Sequence, residues 1–397
     1  MGHFAAAGRS NLDARLQSTS GAERAATRAT PGRRMLRWLA VLVATLGAAG
    51  CATKTAQARL PSIAWPEPPL PPRVTFVQLL SDQTSMGADK RGFKASFADY
   101  ISGKQPPKDH LYQPMDIAVS DDGQRVYVAD FGQMSVFRVD HASKTLAPVP
   151  HPFERPFGIG LDADENLYVS EQDGRRITVL NRALKTVRVI THASLVRPAG
   201  VDLDLRRRLL YVADPSRQNS PDHSVKVFDL SGNLVRTVGS GRGDCDGCLL
   251  FPTFVAVDSG GNVYVSNTLN ARIDVFDPDG KYLKRIGERG NSYGMFDKPK
   301  GVALDTFDNV YVVDSGWSNV QIFNQKGEVL LFFGGRGSNP GLLANPTGIA
   351  IDKRNRIYVA DFLNYRVAVY QLVNATTDGS GVIEAPSQPS SEAGRTP

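Results

Sequence analysis

Three cysteines, three tryptophans and six histidines in 397 residues leave little of the side-chain chemistry from which catalytic centres are usually built. The histidines stand scattered at 3, 110, 141, 151, 192 and 223, and no H-E-x-x-H zinc helix, P-loop or dinucleotide fingerprint occurs. Long apolar runs are also scarce. The run from Leu36 to Leu46 falls short of the roughly 20 residues that a membrane-spanning helix needs. Net positive charge is missing from most of the chain as well, despite a formal net charge of +6. Residues 1 to 50 hold seven arginines and two acids, which leaves +1 for everything after them. That remainder exerts no net pull on phosphate, so a nucleic-acid role is not expected. What the chain has in quantity is 37 glycines and 25 prolines, the composition of many turns and short strands.

The basic stretch before Leu36, the short apolar run and the small residues up to Cys51 read as a signal peptide. Gly47 to Cys51 resembles a bacterial lipobox, with Ala48 where a leucine is usual, so Cys51 is the expected site of lipidation. An ordinary secretory signal cleaved near Ala58 is the competing reading. Residues 1 to 32 are polar and arginine-rich, and Met35 or a nearby codon is a candidate for the true start. Ala52 follows the cysteine, a pattern that favours an outer membrane. Residues 51 to 73, with WPEPPLPP from Trp65 to Pro72, read as a proline-stiffened tether.

The rest is a repeat. Six prolines at 114, 156, 198, 252, 299 and 346 open runs of the type PxGIAVD. Each is followed by an alternation such as VYVAD that closes at Asp130, Glu171, Asp214, Asn267, Asp314 or Asp361, and then by a third such as RIDVF. Fourth runs show near Val187, Leu234, Tyr282 and Leu331. Strict alternation of β-branched and aromatic residues between Asp and Gly turns is the strand signal. Four short strands per repeat is one propeller blade. The expected fold is all-β, a six-bladed β-propeller of four-stranded antiparallel blades over residues 74–373. The sixth repeat lacks an outer strand and Val74 to Leu80 has no other partner, so the N-terminal strand is expected to close the ring. Residues 1 to 50 are the leader, and 374–397 read as a disordered tail.

The pattern of Pro-x-Gly-[IV]-Ala-[VL]-Asp, then Asn-[VI]-Tyr-Val-Ala-Asp, then Arg-[IV]-x-Val-Phe, resembles the NHL repeat over about residues 74 to 373. Asp116 and Phe254 depart from it at the glycine position. The resemblance implies a propeller, and in one NHL enzyme group, the peptidyl-α-hydroxyglycine amidating lyases, a zinc held by histidines at the ring centre. No histidine here follows an inner strand at matched positions.

The strand-ending acids, and Asp162, Asp204, Asp258, Asp305 and Asp352 in the first hairpins, read as turn-forming groups because they recur in equivalent copies. Cys245 and Cys248 are an even pair once Cys51 is set aside, and a local disulfide is expected, with metal ligation and redox chemistry as alternatives. His192 and His223 could join them around a metal. The candidate binding residues are the departures from the repeat: Asp116, Glu171, His223, Phe254, Asn267 and the aromatic Trp317, a surface biased toward blades three to five. Three functions follow. The first is a monomeric, non-catalytic envelope module that binds or scaffolds a protein or other ligand; the second a metal-dependent hydrolase or lyase at the axial channel; the third an accessory of envelope redox proteins. No cofactor is expected, and a structural or axial metal stays open. If Cys51 carries the anchor, Cys51→Ala should leave an unprocessed precursor. Wild-type protein should start at Cys51 with three acyl chains by intact mass, and an unmodified N-terminus elsewhere would contradict the anchor.

Overall fold

A computed structural model of the chain describes residues 63–87 and 110–373. The leader, Cys51 and the tail from 374 lie outside the described residues. Within them the strands form six antiparallel sheets, one per repeat, over 114–148, 156–191, 201–238, 252–286, 299–334 and 346–372. In each, neighbouring strands are consecutive in sequence, so every blade is a four-stranded meander apart from the last. Blade six holds three strands of its own, and Val74–Leu80 pairs antiparallel with Arg366–Leu372, from Val74 opposite Leu372 to Leu80 opposite Val367. First and last strands thus share one sheet, and the ring has no seam between whole blades.

The sheet begins earlier than the repeat suggests. Ala64–Trp65 pairs with Val74 and Thr75, and the Trp65 carbonyl accepts the Arg73 N–H at 2.7 Å. Trp65 packs edge-on against Tyr370 and tilted against Phe333. This takes residues 63–73 out of the proline-stiffened tether expected over 51–73, of which 51–62 lie outside the described residues. Removing an indole from water outweighs the stiffness of the prolines around it, so the segment from Ile63 belongs to the propeller. Blade one also has a fourth strand, Thr145–Pro148, that the alternation does not announce.

The second strand of each blade is the most deeply buried. Its tyrosine (127, 168, 211, 264, 311 or 358) is enclosed between blades. In four blades the phenol turns back to the first hairpin, as where the Tyr264 hydroxyl donates to Asp258 at 3.1 Å and that of Tyr311 to Asp305 at 3.1 Å. A phenol buried without such an acceptor would cost about 1–3 kcal/mol. The expected hairpin role of the aspartates is therefore the observed one: Asp258 accepts the Asn262 main-chain N–H and side-chain amide, and Asp305 accepts those of Asn309.

A second recurrent contact fixes the other end. The side chain closing the second strand reaches across to the loop that brings the chain into its blade. There it accepts one main-chain N–H in every repeat: Tyr112 to Asp130, Glu154 to Glu171, Val196 to Asp214, Leu250 to Asn267, Asp297 to Asp314 and Ala344 to Asp361, at 2.6–2.8 Å. Arg176, Arg272 and Arg366 brace the same loops. Arg366, for example, donates to Asp361 and to the carbonyls of Ser338, Asn339 and Leu342.

Deleting residues up to Leu80 would leave Arg366–Leu372 as a bare edge and expose Tyr370 and Phe333. The truncated protein is expected to lose more than about 4 kcal/mol and to self-associate. Equilibrium unfolding coincident with the full-length protein would show that the ring does not rely on this strand.

Candidate functional site

The inner strands line an axial cavity of about 270 Å3. Two positions of the repeat set its width. At the glycine position, inner strands of neighbouring blades come so close that a β-carbon on Gly158 would lie 2.3 Å from the Ala199 carbonyl oxygen, and one on Gly301 2.5 Å from that of Thr347. Two residues on, the ring carries Ala118, Gly160, Asp202, Ala256, Ala303 and Ala350. Asp202 is the one polar side chain among them. The sequence reading passed over it because an Asp in an alternating strand looks like an ordinary outward residue.

Asp116 and Phe254 replace glycine, and the structure puts both at the axis. Asp116 is buried beside Gly348 and accepts N–H groups from its neighbour Ile117 and from Ile159 of blade two, the latter at 3.1 Å. Asp202 repeats that arrangement between blades three and four, accepting from Leu203 and Val257 at 2.8 Å each. Burial holds the Asp116 carboxyl well above the usual carboxylate range. It pushes Asp202 up to about 7, against the opposing pull of those N–H groups. Phe254 meets Phe157 of blade two with centroids 5.6 Å apart, so two non-adjacent blades touch over blade three. On the next inner strand, burial pushes the Lys300 ammonium down to about 8, and Lys298 acts the same way.

The other expected binding residues separate. Glu171 is fully buried and engaged by Arg176, Thr178 and the Glu154 N–H. Asn267 is equally buried, and because it is neutral, Asp274 supplies the negative partner that Arg272 needs. Both do the clamping job of the aspartates they replace, which takes them off any ligand surface. His223 is buried, with Nδ1 accepting the Phe251 N–H at 3.0 Å and Nε2 3.3 Å from the Arg217 carbonyl. Burial lowers its pKa, so the neutral ring serves as a loop bracket. Among the described residues no three His, Cys, Asp or Glu side chains are grouped to hold a metal.

Cys245 and Cys248 are bonded to each other. Their turn is one that the fold makes without them: the Cys248 N–H donates to the Cys245 carbonyl at 3.0 Å, as Met295 does to Ser292 and Leu342 to Asn339 in the next two inter-blade loops. The sulfurs staple a repeated loop. The same equivalence disposes of Gly290-Asn291-Ser292-Tyr293-Gly294, a G-x-S-x-G spacing that the sequence reading overlooked. It is the blade-five copy of this loop, and no helix follows it.

On the loop face, Trp317 is 43% exposed while its indole N–H donates to the Gly290 carbonyl. Tyr293, 75% exposed, stacks on Phe332 at 4.7 Å, and Tyr112 stacks on Tyr365 at 5.3 Å. Met134, Leu269 and Leu363 are exposed in the turns after the second strands of blades one, four and six. The apolar surface therefore covers blades four, five, six and one. This moves the surface away from the expected bias toward blades three to five, because the enlarged blade-three loop exposes no large apolar side chain and its Asp222 pairs with Lys226.

The channel carboxyls give a pH dependence of definite sign. Asp202 has its folded pKa raised to about 7 against about 3.9 unfolded. Its protonated form stabilises the fold fully below about pH 3.9, and that contribution is lost as pH rises through about 7, with Asp116 acting in the same direction. Asp202→Asn is expected to flatten the decline in Tm between about pH 4.5 and 7.5; a slope identical to wild type would mean that the channel does not raise this carboxyl.

The NHL repeat model matches residues 343–370, from the loop entering blade six into its third strand. No curated protein matches the chain. Among solved structures, a gluconolactonase from Xanthomonas campestris is similar at 16% identity, over 66% of this chain and 86% of that one, with a TM-score of 0.52. A structural genomics protein of unknown function from Bacteroides thetaiotaomicron is similar at 14% identity, over 75% and 76%, with a TM-score of 0.55. A virginiamycin B lyase from Staphylococcus aureus shares 13% identity over 68% and 98%, with a TM-score of 0.48. For the first two, at these identities, the likeness is one of fold. The chain is an all-β, six-bladed propeller built of four-stranded blades, with an NHL repeat at residues 343–370.

Proposed function

We propose that the protein is a non-catalytic binding or scaffold module of the bacterial cell envelope, held to a bilayer through Cys51 and engaging a protein partner with its loop face. The exposed aromatic cluster of Trp317, Tyr293 and Phe332 carries this reading. Large aromatic side chains at a surface cost free energy unless something covers them, and they dominate the energetics of protein interfaces. These three are already held in place. Trp317 is fixed by its bond to Gly290 and Tyr293 by its stack on Phe332, so binding would order little that is not ordered beforehand. Beside them Pro66, Leu70 and Pro71 line a further apolar cavity of about 440 Å3 with Tyr293, Leu331 and Phe332.

The bonding in the axial channel supports the same reading. A metal-dependent hydrolase would need carboxylates with free lone pairs converging on one point. Asp116 and Asp202 instead tie together inner strands of successive blades through main-chain N–H groups, and burial favours their neutral forms. That is the bonding of struts.

Trp317→Ala combined with Tyr293→Ala should reduce, by at least about tenfold, the yield of the specific partner cross-linked to the lipidated protein in its own membranes. Both side chains are exposed, so Tm should move by no more than a degree or two, as for about 0.5 kcal/mol. The same partner recovered at wild-type yield would rule out this face.

A further inference from the structure

The loop face is chemically divided. Where blades four, five, six and one present aromatic and aliphatic side chains, the junction of blades two and three holds a cleft of about 450 Å3 walled by arginines. Arg155 and Arg197 precede the first strands of blades two and three, while Arg175 and Arg217 come from the turns after their second strands. The repeat itself shows that the fold does not require arginine here. The positions equivalent to Arg155 and Arg197 carry Gln113, Phe251, Lys298 and Asn345, and those equivalent to Arg175 carry Met134, Ala271, Ser318 and Tyr365. The left-handed backbone angles of Arg155 and Arg175, φ 57° and 47°, recur at the equivalent Phe251, Asn345, Met134, Ala271, Ser318 and Tyr365, so they belong to the turn and not to arginine.

Two of the guanidiniums are oriented by aromatic faces. Arg155 lies over Phe131 and Arg197 over Phe251, each 5.5 Å from the ring centroid. Stacking uses the face of the guanidinium and leaves its N–H edge to a ligand. Arg175, Arg197 and Arg217 make no ion pair among the described residues. The opposing acids are Asp173, paired with Arg155 at 3.1 Å, and Asp214 beneath, whose oxygens hold the N–H groups of Val196, Arg197 and Ser216. Four guanidiniums against two carboxyls leave a surplus of two positive charges. Gln172 supplies an independent observation. It lines the cleft at 6% exposure, and its side-chain amide takes no hydrogen-bond partner among the described residues. Its amide atoms open onto the cleft and stay available to a ligand oxygen.

We propose that the cleft between blades two and three binds a compact, phosphate-bearing polyanion, with the edges of Arg155, Arg175, Arg197 and Arg217 on its oxygens and the Gln172 amide beneath. A single carboxylate would leave the surplus charge uncompensated, whereas a diphosphate offers two or more charges and closely spaced oxygens that forked guanidiniums match. The site is separate from the aromatic surface, and its test does not depend on any protein partner.

Calorimetric titration of the whole protein with pyrophosphate in low-salt buffer should give one saturable site. In Arg175→Ala/Arg217→Ala, both exposed positions, the affinity should fall by roughly tenfold or more with Tm in the absence of ligand unchanged. Added chloride should weaken binding steeply, and citrate at matched charge should bind more weakly than pyrophosphate. Pyrophosphate affinity within about twofold of wild type in the double variant would overturn the site. Citrate binding as tightly as pyrophosphate would overturn the phosphate assignment.

Discussion

Everything on the loop face depends on a single contact made six times, in which the side chain ending the second strand accepts a main-chain N–H from the loop entering the same blade. That loop is where the chain crosses from one blade to the next, and it cannot pair with a strand there. Part-buried with no other acceptor, its N–H groups would go unpaired at a cost of about 1–3 kcal/mol each. The acceptor supplies the missing bond and, through the same oxygens, holds the following turn. Asp314 also receives the N–H groups of Gly316 and Trp317. The turn that carries Trp317 and the loop that carries Tyr293 are thus fastened to one carboxylate, or within a few residues of it. An otherwise irregular surface becomes a rigid platform on which single side chains can vary without loss of the fold.

The same logic operates at the axis. Glycines let inner strands approach to van der Waals contact, and the two departures from glycine are each compensated locally. Asp116 replaces the lost proximity with a bond to Ile159, and Phe254 fills space against Phe157. Asp202 then repeats the Asp116 device one step further along the strand. The result is a narrow, mostly small-walled channel whose acidic groups are committed to the ring. The loop face is left as the variable surface, aromatic on one side and cationic on the other.

Much of this was legible in the sequence because a repeat states its own register. Proline spacing, the strand-ending acid and the alternation placed the strands of the six blades, and the bounds Val74–Leu80 follow from the missing outer strand. The fourth strand of blade one was not legible, since Thr145–Pro148 is short, mostly exposed and ends in proline. The strand pairing of Ala64–Trp65 was hidden by a proline run that reads as a spacer until Trp65 is seen against Tyr370. Glu171 and Asn267 looked like functional departures, whereas each keeps its acceptor oxygen in place and a neighbouring residue absorbs the change in length or charge. Asp202 and the arginine cleft were invisible for a different reason. Their meaning comes from residues about 20 to 60 positions apart that only the curvature of the ring brings together.

The rigidity of the loop face stands or falls on the six clamped amides. Native-state hydrogen exchange should find Tyr112, Glu154, Val196, Leu250, Asp297 and Ala344 protected to the level of the second-strand amides, although they lie outside any strand ladder. Exchange at the rate of exposed loop amides would show that the strand-ending acceptors do not hold the loops and that the loop face is no rigid platform.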